Sequence, residues 1–210
     1  MHSKNRWRNL ILIASVTAVT SLVVAGPGAS ALAAPIRAAA ANGAVAWGDN
    51  SAGQLGNGTV TASGIPVGVG NLSGVKALAA GDRFTLALRT NGTVEAWGDN
   101  THGQLGDGTT ASADVPVPVK GLTGVTAVAA GGAHALALLS NGTVVAWGDN
   151  IDGQLGDGTT TSSDVPVPVK GLTGVTAVSA GSLHSLALLS GGRVEAWGSN
   201  GDGQLGNGTT

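Results

Sequence analysis

Short apolar runs broken by glycine-rich polar turns recur along most of the chain, a spacing that suits β-strands and is too short for helices. Within one unit the runs read as four strands: Val75 to Ala79, Phe84 to Arg89, Val94 to Trp97 and Val115 to Val119. Asn91-Gly92, between the second and third runs, predicts a tight hairpin of type I′, because both residues tolerate the positive φ that this turn demands. Pro116 and Pro118 cannot donate ladder hydrogen bonds, so the fourth run is expected at a sheet edge or as an irregular outer element.

The pattern is periodic. Trp47, Trp97, Trp147 and Trp197 are spaced by fifty residues, each in the frame Ala-Trp-Gly-x-Asn followed by Gly-Gln-Leu-Gly. A period of that size means a propeller or a solenoid. The segment from Asp114 to Val128 recurs intact from Asp164, the mark of internal duplication. A four-stranded unit is too small to cover both its faces, so each sheet must shield its neighbour and an isolated unit should not fold.

The run Trp97-Gly98-Asp99-Asn100-x-x-Gly103-Gln104-Leu105-Gly106, with Val128-Ala-Ala-Gly131-x-x-His134-x-Leu136-Ala-Leu ahead of the next tryptophan, resembles the repeats of the regulator of chromosome condensation family. The resemblance spans residues 43–210 and implies an all-β fold, a seven-bladed β-propeller of four-stranded blades. Seven units would need about 350 residues at this period. The chain holds three full periods and a partial fourth, beginning in mid-unit at Val45 and stopping just after Gly206-Asn207-Gly208. It is expected to form an open arc, as an N-terminal fragment or truncated reading frame.

Upstream of the repeats the pattern changes. Lys4, Arg6 and Arg8 precede an apolar run from Leu10 to Ala25, and Ala31-Leu32-Ala33 supplies small residues where a signal peptidase reads. The run is shorter than the roughly 20 residues that span a bilayer. Residues 1–33 therefore read as a cleaved secretory signal peptide of a bacterial export route, residues 34–42 as a linker and residues 43–210 as the repeat region. The expected location is secreted, extracellular, with no integral span after cleavage.

Composition and charge exclude several classes. Glycine reaches 36 residues and charged residues only 10%, while 42% hydrophobic content argues against disorder. Without Lys4, Arg6 and Arg8, seven basic residues face twelve acidic ones, and an acidic surface does not attract nucleic acid. The absence of cysteine removes disulfides, thiolate metal sites and a cysteine nucleophile.

Candidate chemistry is sparse. The tryptophans Trp47, Trp97, Trp147 and Trp197 fit a packing role in equivalent inter-blade pockets better than a ligand-stacking ring. His134 and His184 hold equivalent positions, where Phe84 stands in the preceding unit, and are expected to bridge backbone groups in the interior rather than to bind metal. Asp49, Asp99 and Asp149 follow Trp-Gly and suit Asx-turns; Asp149-Asn-Ile-Asp152-Gly hints at a calcium loop but departs from the EF-hand spacing. Asn57, Asn71, Asn91, Asn141 and Asn207 lie in glycosylation sequons that also read as turns. No nucleophile elbow, zinc-protease pair or Walker loop occurs in the mature chain, so neither catalytic residues nor a cofactor are expected.

The units differ from one another in two loops. One set is Ser51-Ala52, Thr101-His102, Ile151-Asp152 and Gly201-Asp202; the other is Asp82-Arg83, Gly132-Ala133 and Ser182-Leu183. Asp82, Arg83, Thr101, His102, Ile151, Asp152 and Leu183 are the candidate binding residues, against a reading of neutral drift on exposed turns. The founding member of the resembled family catalyses nucleotide exchange on a small GTPase and touches chromatin, which does not fit an exported acidic chain. Secreted bacterial relatives include inhibitors that cap a β-lactamase. The expectation is a non-catalytic protein-binding or scaffold module whose partner is an extracellular protein. The alternatives are a cell-wall or carbohydrate-binding accessory protein and an inactive fragment of a longer repeat protein.

Overall fold

The computed structural model describes residues 44–210 and the two-residue strand Ala14–Ser15. The signal peptide and linker read from the sequence therefore fall almost wholly outside the described residues.

All described regular structure is β, in four antiparallel sheets. The first contains β1 (Ala14–Ser15), β2 (Ala44–Gly48) and β3 (Ser63–Gly68). The second contains β4 (Val75–Ala80), β5 (Phe84–Arg89), β6 (Val94–Gly98) and β7 (Ala113–Pro118) in that order. The third repeats it with β8 (Val125–Ala130), β9 (His134–Leu139), β10 (Val144–Gly148) and β11 (Ser163–Pro168). The fourth has β12 (Val175–Ala180), β13 (His184–Leu189) and β14 (Val194–Gly198). The sheets are propeller blades, and the array is open rather than closed on itself.

The proline-bearing run is the outermost strand of its blade. Ala96 pairs with Val117 and Gly98 with Ala113, so three residues of β7, Pro116 among them, bulge opposite Trp97. The missing N–H of Pro116 thus falls where no ladder bond is made, which fits proline to this position. This strand begins two residues before the expected start, because the bulge lets Ala113 rejoin the ladder.

The hairpin turn differs from the expected type I′. Among the described non-glycine residues the one with positive φ is Asn71 (φ 50°), so Asn91 is not left-handed. Gly92 donates to the Arg89 carbonyl at 2.9 Å and itself has φ 78°, the pattern of a type I turn closed by a glycine bulge. The side chain of Asn91 decides this. Its Oδ1 accepts from Thr93 N at 3.1 Å and Thr93 Oγ1 at 2.7 Å, an Asx-turn that holds Asn91 in ordinary backbone geometry.

The core lies between blades. Leu86, Leu88, Val94, Ala96 and Leu105 of the second blade meet Ala135, Ala137 and Trp147 of the third. Leu136, Leu138, Val144, Ala146 and Leu155 of the third meet Ala187 and Trp197 of the fourth in the same way. Strand alternation sends even-numbered residues of β6 and β10 forward to the next blade and the tryptophan backward. Each indole donates to a carbonyl 43 residues upstream: Trp97 to Gln54, Trp147 to Gln104 and Trp197 to Gln154, all at 2.9 Å. A Cβ at Gly56, Gly106 or Gly156 would lie 2.7 Å from the indole nitrogen, so this glycine is set by close approach.

Candidate functional site

The loop that carries Gly-Gln-Leu-Gly is clamped by buried polar groups. Asn100 is fully buried, its Nδ2 donating to the Thr109 and Ala111 carbonyls at 3.0 and 3.1 Å while its Oδ1 accepts from Leu105 N at 2.9 Å. Asn150 does the same with Thr159, Thr161 and Leu155. Gln104 Oε1 accepts from His102 N at 2.9 Å, and Gln154 Oε1 accepts from Asp152 N at 2.9 Å. These asparagines and glutamines were not among the candidate residues. Their recurrence in every unit is the signal that marks them, since a buried amide must meet its hydrogen-bonding partners each time the loop is built.

The clamp brings both sets of varying residues to one end of the blades. Asp99 N donates to the Arg83 carbonyl at 2.9 Å, Asp149 N to Ala133 and Ser199 N to Leu183 at the same distance. The loops of successive blades are stitched together by Asp82 N to the Gly132 carbonyl at 3.2 Å and Gly132 N to the Ser182 carbonyl at 3.0 Å. Arg83 Nη2 donates to Ser51 Oγ of the preceding unit at 3.0 Å. Ser51, Ala52, Val60, Arg83, Asp99, Ser112 and Asp114 line an open cleft of about 430 Å³ between the first two blades.

Along this rim Asp82, Arg83, Thr101, His102, Ile151, Asp152 and Leu183 are all exposed, Ile151 at 69%. Thr101 is fixed by its N–H to Asp99 Oδ1 at 3.2 Å, and its hydroxyl lies 3.1 Å from His102 Nδ1. The surface therefore offers a guanidinium, carboxylates, an imidazole and two aliphatic side chains on a rigid frame.

The aspartates that follow Trp-Gly are anchored in turns. Burial alone would raise the pKa of Asp49, but hydrogen bonds from Ser51, Gln54 and the Asn50 amide outweigh it and hold the carboxyl below its ordinary value. Asp157 is likewise lowered: burial opposes, while Thr159, Asn150 and the charge of Lys170 favour the carboxylate. Among the described residues no three His, Cys, Asp or Glu side chains are grouped to hold a metal ion.

The histidines lie away from the rim, between blades. His134 is fully buried, with Nε2 2.9 Å from Ser185 Oγ of the next blade. The expected bridge to backbone thus runs through a hydroxyl, since Ser185 Oγ in turn donates to the Gln154 carbonyl at 2.8 Å. His134 Nδ1 is buried without a hydrogen-bond partner. A Cβ at Gly131 would collide with this ring, which explains the Gly-x-x-His spacing. Burial lowers the His134 pKa to about 4, reinforced by His184 and opposed by Asp149. His184, in the fourth blade, is half-buried.

Trp97 and Trp147 are fully buried, and Trp47 and Trp197 are half-buried at the two ends of the array. Rigid sheets with an indole wedged between them, carrying varied loops at one end, define an open segment of a β-propeller. The Regulator of chromosome condensation (RCC1) repeat family matches residues 44–88, 91–138 and 141–188, and a second description of the same repeat matches 75–104, 125–154 and 175–204. The chain belongs to this repeat family.

Solved structures agree. Human WBSCR16 superposes with a TM-score of 0.71 at 29% identity, over 79% of this chain and 45% of that one. Yeast RCC1 (Prp20), crystallised with Kap60 bound to it, gives 0.67 at 25% identity over 76% and 40%. Prp20p from Saccharomyces cerevisiae, described with its binding properties to Gsp1p and histones, gives 0.68 at 24% identity over 80% and 44%. The chain spans less than half the length of each. No curated protein matches the chain significantly.

Proposed function

We propose that this chain is a secreted, non-catalytic protein-binding module whose partner docks on the rim of varied loops. The observation that carries this reading is the stitching of Asp82, Gly132 and Ser182 from consecutive blades, with Arg83 tied to Ser51. It places the positions that differ between units side by side on one pre-organised surface, while the positions common to all units lie in the clamps and the core. Pre-organisation favours binding because little loop entropy is lost on docking. Relatives of this repeat family bind proteins: Prp20 is described with Kap60, Gsp1p and histones. The partner proposed here is an extracellular protein. A carbohydrate platform would require exposed indoles, and Trp97 and Trp147 are buried.

Two measurements test the reading. Protein recovered from culture medium should begin at Ala34; an intracellular chain that retains Met1 would overturn the secretion part. A photo-crosslinker at Ile151 or Leu183 should capture one defined extracellular protein, and Arg83→Glu with Ile151→Asp should weaken that complex about tenfold or more without changing the melting temperature. Equal capture from a crosslinker at Thr176, on the exposed side of β12, would refute the rim as the docking site.

A further inference from the structure

The rim changes chemistry at one fixed pair of positions. Arg83 Nη2 donates to Ser51 Oγ at 3.0 Å, so the side chain at this place in the β4–β5 loop reaches back across the blade boundary to the loop of the preceding unit. The same two places are Thr101 and Ala133 at the second boundary, and Ile151 and Leu183 at the third. The backbone frame is common to all three: Asp99 N donates to the Arg83 carbonyl, Asp149 N to Ala133 and Ser199 N to Leu183, each at 2.9 Å. On the facing loops Gly53, Gly103 and Gly153 donate to the carbonyls of Asn50, Asn100 and Asn150 at 3.0, 2.9 and 3.0 Å. A frame that aims Arg83 at Ser51 therefore aims Leu183 at Ile151.

Both are large aliphatic side chains open to solvent, Leu183 at 42% and Ile151 at 69%. The openness belongs to the place on the rim. Arg83 is exposed although the complete third blade follows its own, and Ser51 and Thr101 are exposed as well. The frame does not need an aliphatic pair here, since Thr101 and Ala133 build it without one. Paired aliphatic side chains exposed on a pre-organised surface mark a contact for an apolar group.

Charge says what accompanies that group. Asp149 and Asp152 flank Ile151 in the chain, and neither this loop, 149–153, nor the facing loop, 181–183, holds a lysine or arginine. Asp152 N donates to Gln154 Oε1 at 2.9 Å, which fixes the loop, while its exposed carboxylate has no partner among the described residues. An unpaired carboxylate beside an apolar contact complements a cation on the partner.

We infer that the third boundary is the anchor of the rim, and that it takes a protein segment carrying an aliphatic or aromatic side chain next to a lysine or arginine. The apolar side chain is seated between Ile151 and Leu183, and the cation meets Asp152. This rests on the rim as the docking site and adds the boundary that binds and the chemistry it selects.

Phage-displayed random peptides selected on the immobilised full chain test it. Peptides with an aliphatic or aromatic residue adjacent to Lys or Arg should be enriched. Synthesised with a fluorophore, these should bind the Ile151→Thr, Leu183→Ala double variant about tenfold or more weakly than the wild type. That variant carries the pair already present at the second boundary, so its melting temperature should not change. Asp152→Asn should weaken the same peptides about threefold, an effect that high salt removes. Arg83→Ala, at the first boundary, should leave their affinity unchanged. A selection that enriches no such peptides, or equal binding by the wild type and the double variant, would overturn the inference. If crosslinkers on the rim capture a protein whose affinity the double variant leaves intact, the rim stands as the docking site and the anchor falls.

Discussion

His134 Nε2 lies 2.9 Å from Ser185 Oγ across the boundary between the third and fourth blades. One boundary earlier the same two positions are Phe84 and Ala135, packed in one apolar cluster. The pair changes together: a ring with a polar edge meets a hydroxyl, and a ring without one meets a methyl. Ser185 donates its single proton to the Gln154 carbonyl, so it accepts from His134, which is the neutral tautomer with hydrogen on Nε2.

Ser185→Ala should therefore destabilise the chain by about 1–3 kcal/mol, because it strands a second buried nitrogen on His134. His134→Phe combined with Ser185→Ala recreates the Phe84–Ala135 pair and should recover much of that loss. A double-mutant cycle by urea denaturation measures the coupling, with about 1 kcal/mol expected and additivity as the refuting result.

The same geometry sets a pH dependence. Protonation would place a hydrogen on Nδ1, which has no partner, and the folded pKa falls to about 4 from 6.5. The unfolded chain then binds a proton that the folded chain refuses, so stability is full above 6.5 and declines as pH falls toward 4. The loss amounts to about 3 kcal/mol. Asp49 and Asp157, whose folded values are lowered, contribute stability that is lost only below their ordinary 3.8. Denaturation midpoints at pH 7 and pH 4.5 should differ for the wild type and converge for His134→Phe.

The tryptophan wedge carries a larger share of the stability. Trp147→Ala removes an indole that is fully buried and leaves the Gln104 carbonyl unpaired, at a cost of about 3–5 kcal/mol. With Trp7 replaced by Phe so that only the four repeat tryptophans report, acrylamide should quench weakly, the accessible fraction confined to the half-buried Trp47 and Trp197. Uniform, strong quenching would contradict the inter-blade packing.

How much of this was legible in the sequence follows from which interactions are periodic. The strands and the tryptophan wedge could be read because a burial pattern repeated every fifty residues has few physical causes. The turn at Asn91 could not, because Asn-Gly serves two hairpin types and the choice rests on where one side-chain oxygen finds Thr93. The Asn100 and Gln104 clamps lie inside a polar loop, where recurrence in every unit marks the residues but the loop's composition does not separate a buried amide from an exposed one. The Phe84–Ala135 and His134–Ser185 exchange was readable in principle, since both residues change across the same boundary, but only once the packing of one blade on the next fixes an offset of 51. That the two sets of varied residues meet on one rim depends on how each blade sits against the next, which no single unit encodes.

The loop clamp gives the sharpest test of how these blades are specified. Asn150 Nδ2 faces the carbonyls of Thr159 and Thr161 at 3.1 and 3.0 Å and Asp157 Oδ1 at 3.2 Å, all acceptors, while Oδ1 takes the Leu155 amide. Asn150→Ala empties the site and leaves these groups to water or unpaired, costing about 1–3 kcal/mol. Asn150→Asp keeps the shape and the bond from Leu155 but turns a donor into a charged acceptor, aimed at two carbonyls and a carboxylate in a buried position. Desolvation and repulsion both oppose that charge. The isosteric aspartate should therefore be more damaging than alanine at pH 7, and acidification toward pH 5 should narrow the gap as the new carboxyl takes up a proton and donates in place of Nδ2. Thermal melts of the two variants at both pH values decide it: an aspartate variant as stable as wild type at pH 7 would show that the loop is held by shape alone.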